Sequence, residues 1–182
     1  MKMMMAMMMT TMTTMMMTFQ MARLHRLVKM FDRGDTSIFT FRFPLPESFS
    51  TSSSSAPDRQ LDTVSPDFVY GHQRWSVTLR GHERHIGAWL SLRQVVEGTT
   101  CCVDYAITAL NRKHFSRNDS VADRECRFSL PGSGSHGSGT LLDATDLHAA
   151  GFVVDESLTR EVLVEVEMRN CETTFVQVRS TS

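Results

Sequence analysis

The sequence predicts an all-β protein, an antiparallel β-sandwich of about eight strands. Three observations predict it. Short runs of period-two alternation follow one another from residue 38 onward, Gly, Pro and Ser clusters punctuate them, and helical periodicity is almost absent over the same span. The clearest run is Cys101–Phe115, CCVDYAITALNRKHF. It sets Val103, Tyr105, Ile107 and Ala109 on one side of an extended chain and Asp104, Ala106 and Thr108 on the other. This is the predicted central strand.

The first 35 residues are read separately from the sandwich expected over 36–182. Of the 14 methionines, 12 precede residue 22, in a Met/Thr tract that carries no pattern able to bury a face. It reads as a disordered low-complexity leader. The rival reading is a signal segment, but threonines interrupt the apolar run and no small-residue cleavage site follows. Leu24, Leu27, Val28 and Phe31 then recur at helical spacing among Arg23, Arg26, Lys29 and Arg33, predicting a short basic amphipathic lead-in helix that ends near Gly34.

Ile38–Phe43 alternates as a first strand stopped by Pro44 and Pro46, and Ser48–Asp58 reads as a surface loop. Arg74–Arg80 directs Trp75, Val77 and Leu79 inward, and Gly81 marks a turn. His85–Arg93 sets Ile86, Ala88, Leu90 and Leu92 on one face and Trp89, Ser91 and Arg93 on the other. After the central strand, Arg124–Leu130 presents Cys126, Phe128 and Leu130 together. Pro131–Gly139 is expected to be a flexible excursion, and Leu142–Leu147 one helical turn capped by Asp143. Leu158–Met168 alternates Val162, Val164, Val166 and Met168 against Glu161, Leu163, Glu165 and Glu167, and Thr173–Val178 forms a last strand.

A net charge of -1 gives no electrostatic basis for binding nucleic acid or an anionic membrane. Cys101, Cys102, Cys126 and Cys171 show no CxxC spacing and read as buried reduced thiols of an intracellular protein. Gly132, Gly134 and Gly137 spell GxGxxG without the strand before and helix after that a dinucleotide site needs. His82 and His85 flank Glu83, but zinc needs four ligands and no second pair is in view, so no metal or other cofactor is expected. No serine elbow, P-loop lysine or paired carboxylates appear, and no catalytic residue is assigned.

Taken together, RWSVTL (74–79), AWLSL (88–92), VDYAITALN (103–111), CRFSL (126–130) and DLHAAGFVVDESLTREVLVEV (146–166) resemble, in order and spacing, the TRAF-homology or MATH domain. The resemblance covers roughly residues 36–170. It implies an eight-stranded antiparallel sandwich without catalysis, of the kind found behind RING or TRAF-type zinc-finger modules. Such domains hold extended peptides in a shallow groove on one sheet, within ubiquitin ligases and signalling adaptors. By the resemblance Tyr105 matches a groove aromatic, Arg93 and Cys126 stand where two others would be, and Trp89 is a further contributor. The expected function is therefore a cytoplasmic or nuclear protein-interaction module with a protein or peptide partner. The alternatives are a zinc-dependent or thiol enzyme using His82, His85 and the cysteines, and a secreted ligand-binding β-sandwich.

Overall fold

Phe39, Phe41 and Phe43 alternate with Ile38, Thr40 and Arg42, and this period of two gives the first strand one apolar face. The same rule repeats through a computed structural model that describes residues 36–46, 61–82, 84–94, 98–129, 134–145, 147–156 and 159–175. The expected leader and lead-in helix, the loop over 48–58, Leu130 and the chain beyond Phe175 lie outside these residues. Every described strand belongs to one compact unit that begins at Ser37.

The strands are β1 (Ser37–Pro44), β2 (Leu61–Val64), β3 (Phe68–Tyr70), β4 (Gln73–His82), β5 (His85–Leu92), β6 (Thr99–Ala109), β7 (Asp119–Ser129), β8 (Ser135–Asp143), β9 (Val153–Glu156) and β10 (Thr159–Phe175). One helical turn, α1, spans Leu147–Ala150. One sheet runs β1-β10-β6-β7 with β9 on β10, and the other runs β2-β4-β5-β8 with β3 on β4. All pairings are antiparallel.

The inner faces meet in one core. Val103, Ile107 and Ala109 of β6 and Val162, Val164, Val166 and Met168 of β10 are fully buried, as are Trp75, Val77, Leu79, Ile86, Ala88 and Leu90 from the other sheet. Trp75 and Phe128 cross between the sheets edge to face, ring centres 5.0 Å apart. The Trp75 indole N–H donates to the Tyr70 carbonyl at 3.0 Å. Phe68 of β3 stacks at 4.4 Å on Phe39 of β1.

Two β-bulges flank the middle of β6. Between Val103 and Tyr105 the β7 partner gains a residue, and between Arg169 and Glu172 the β10 strand does the same. Each bulge contains a residue in the left-handed region, Glu125 (φ 53) and Asn170 (φ 51). Asp104, outward on β6 between them, accepts the Glu125 N–H at 2.7 Å with one carboxylate oxygen and the Asn170 side-chain amide at 2.8 Å with the other. One carboxylate thus ties both irregularities to the central strand.

Several details differ from the sequence expectation. Residues 135–139 are not a flexible excursion but part of β8, laid against β5 with Gly137 opposite Trp89. A Cβ on Gly137 would come within 2.0 Å of the Ala88 carbonyl, so the glycine permits the close pairing. Leu142 and Asp143 complete that strand, and the helical turn comes later, at Leu147. Asp143 does not cap it. Its carboxylate accepts the Thr145 N–H at 2.8 Å and closes the turn after β8. The last two expected strands are a single β10 carried through its bulge.

Gly71 and His72 form the two-residue turn between β3 and β4, both with positive φ (57 and 62), the mirror-image geometry that suits hairpin twist. A Cβ on Gly71 would lie 2.3 Å from the Cys171 sulfur. Gly71→Ala should therefore cost about 2 kcal/mol, from left-handed strain and overlap together. Gly134→Ala meets nothing within 4 Å and should stay within about 0.5 kcal/mol of wild type. Urea unfolding of the two variants side by side checks this.

Candidate functional site

One margin of the sandwich lies where β7 and β8, the last strands of the two sheet paths, come side by side. The bulge at Glu125 shapes it. Tyr105 pairs with Asp123, and the extra β7 residue returns Cys126, opposite Val103, to the same inner face. His136 of β8 stands opposite core residue Leu90, so it too points between the sheets. Its ring meets Phe128 edge on, centres 4.6 Å apart, and its Nε2 lies 2.9 Å from the Arg127 carbonyl. A carbonyl only accepts, so Nε2 is the donor of this bond and Nδ1 is the nitrogen left for another partner.

Ligand atoms of Asp123, Cys126 and His136 all lie within 4.8 Å of one another. Burial first, and then the hydrogen bond to Asp123, push the Cys126 thiol up to about 12. That same bond, helped by the Arg124 N–H, holds the Asp123 carboxyl below its usual range. Burial raises the Tyr105 hydroxyl, which donates to the Cys126 sulfur. A thiol held protonated in this way is no nucleophile at neutral pH.

The residues expected to bind a partner are not together. Tyr105 and Cys126 touch, but at 4% and 5% exposure both belong to the core. Tyr105 therefore offers no surface to a groove, for the reason that its strand parity is that of Val103 and Ile107. Trp89 lies half-buried on the outer face of the other sheet, its ring over Gly87 and the Arg80 guanidinium 5.6 Å from its centre. Arg93, at the end of β5, faces Asp67 at 3.5 Å, a carboxylate also approached by Arg74 at 3.9 Å.

Sequence reasoning missed Asp123 and His136. A bulge hid the parity of the first, and the second sits in a Gly/Ser segment with no apolar alternation. His82 and His85 pair across the β4–β5 hairpin, where His85 is exposed, and the His82 side chain lies outside the described residues. Cys101 and Cys102 face opposite sides of β6, and the partner of Cys101 is Cys171, with sulfurs 3.5 Å apart. All four cysteines are free thiols. Among the described residues no helix is long and apolar enough to cross a membrane.

Asp104 gives this side a pH dependence. The Glu125 N–H, and after it the Asn170 amide, hold its carboxyl below the usual range. A depressed folded value contributes stability present above the unfolded value, near 4, and lost as pH falls through the folded one. Wild type should thus exceed Asp104→Asn in melting temperature at pH 7, and the gap should narrow below about pH 4. A gap constant with pH contradicts the tie.

No protein-family model matches the chain, and no curated protein matches it.

Proposed function

We propose that this chain is a non-catalytic protein-interaction module, a TRAF-like (MATH) sandwich that receives an extended peptide of a partner protein by strand addition along β8. The observation that carries this reading is the character of the β8 edge. Among the described residues β8 pairs with β5 alone, and from Ser135 to Thr140 it has no Lys, Arg, Asp, Glu or Pro. A Cβ added at Gly139 meets open space. Sheets ordinarily guard their edges with charge, proline, bulges or shortness. The other edges follow that practice. β7 bears Asp119, Asp123, Arg124, Glu125 and Arg127, β1 bears Arg42 and ends at Pro44, and β2 and β3 have four and three residues. The uncharged stretch from Ser135 to Ser138, which precedes the irregularity that sets Ser138 opposite Ala88 and Leu142 opposite Ile86, suits main-chain pairing with a second chain, with side-chain pockets supplying selectivity.

Two antiparallel sheets enclosing one core support the TRAF-like reading, as do the five sequence segments that carry the resemblance. The same resemblance supports a place in a ubiquitin-ligase or signalling assembly, as its substrate-recognition or adaptor part. In this reading Trp89, opposite Gly137, is the anchor nearest the added strand, and Arg93 meets an acidic ligand residue only in competition with Asp67. Tyr105 and Cys126 support the edge from within the core. The raised Cys126 thiol removes only Cys126 from the candidate nucleophiles of the thiol-enzyme alternative.

Selection of a displayed random-peptide library on the full chain tests the proposal. Extended peptides of micromolar affinity are expected, weakened at least about tenfold by Trp89→Ala while the melting temperature stays near wild type. A library that enriches nothing, or peptides indifferent to Trp89→Ala, would count against it.

A further inference from the structure

We propose that Asp123, Cys126 and His136 form a zinc-binding site that clasps β7 to β8 across this margin of the sandwich. The three side chains come from the facing edge strands of different sheets, and their ligand atoms already lie within 4.8 Å of one another. Zinc–sulfur and zinc–nitrogen bonds of about 2.3 and 2.0 Å set tetrahedral ligand atoms roughly 3.5 Å apart. Closing the cluster by about 1 Å therefore suffices, within reach of side-chain rotation.

The donor types select the ion. A thiolate with an imidazole suits zinc, whereas magnesium and calcium ask for oxygen ligands throughout. The outer contacts are those a zinc site uses. The Arg127 carbonyl accepts a hydrogen bond from Nε2 of His136 at 2.9 Å, which leaves Nδ1 as the nitrogen for the metal. The Arg124 N–H fixes one Asp123 oxygen at 2.9 Å. In the metal-free protein the Cys126 proton lies between sulfur and the Asp123 carboxylate. Zinc takes that place. The sulfur–hydrogen bond breaks, its electron pair goes to the metal, and the proton leaves to solvent. Three protein ligands leave a fourth position for water or for a side chain of a bound partner. This set is distinct from His82 and His85 and implies no catalysis. It does not depend on peptide binding.

Zinc chloride titrated calorimetrically into the reduced, chelator-treated full chain tests it. One zinc per chain is expected, at micromolar affinity or tighter, with release of about one proton, seen as a dependence of the heat on buffer. Cobalt in its place should give a sulfur-to-metal charge-transfer absorption that Cys126→Ala abolishes. Asp123→Asn alters only an exposed side chain and keeps the fold, and His136→Ala empties a half-buried position. Each should weaken zinc at least about tenfold. Failure to bind below about millimolar zinc, or binding unchanged in Asp123→Asn and His136→Ala, overturns the site.

Discussion

Val164→Asp should leave the sandwich unfolded at room temperature, while Glu165→Lys, its neighbour, should remain folded. Val164 is fully buried on β10, between Phe41 of β1 and Ala109 of β6. A carboxylate there has no partner within the core and must either protonate or draw in water. The cost is of order 5 kcal/mol, comparable with the whole stability of a small domain. Glu165 faces outward between Thr40 and Thr108. Reversing its charge should cost less than about 1 kcal/mol. Circular dichroism and a thermal melt of both variants decide the matter. Damage in the reverse order would put β10 one residue out of register, since such a slip exchanges the faces of a strand.

Trp75→Ala should be the costliest truncation in the core, at about 4 kcal/mol. Trp75 is fully buried, joins the sheets through Phe128, and gives its indole proton to the Tyr70 carbonyl. Removing it opens a large cavity and leaves that carbonyl without its donor at once. Phe128→Ala should cost about 3 kcal/mol alone. The double variant should lose about 1 kcal/mol less than the two separately, because the rings share one contact and the cavities merge. Urea midpoints at constant m-value test this. Additive losses would mean that the edge-to-face pair contributes nothing beyond burial.

Where the sequence alternates apolar and polar residues, the strand and its face were both legible. β1, β4, β5, β6 and the first half of β10 follow that pattern, and Phe43, Trp75, Leu90, Ile107 and Val164 are all inward as their parity requires. β2, β3 and β9 have three or four residues, too few for a period to show. β8 was illegible for a different reason. Ser135–Thr140 has no apolar face, and its pairing with β5 depends on glycines that let two backbones approach. Bulges concealed the rest. Nothing in the run DREC announces that Asp123 and Cys126 share a face, and Cys171 reaches Cys101 only because of the extra residue near Asn170. Tyr105 is instructive in the opposite direction. Its parity alone places it in the core, and the family resemblance drew it toward a groove.

Addition of a partner chain to β8 should be visible in amide hydrogen exchange across that strand. A selected peptide bound to the full chain should slow exchange of amides within Ser135–Asp143, leaving those of β1 unchanged. Protection confined to another edge or to a sheet face, with the β8 amides exchanging as in the unbound protein, would contradict strand addition at this edge.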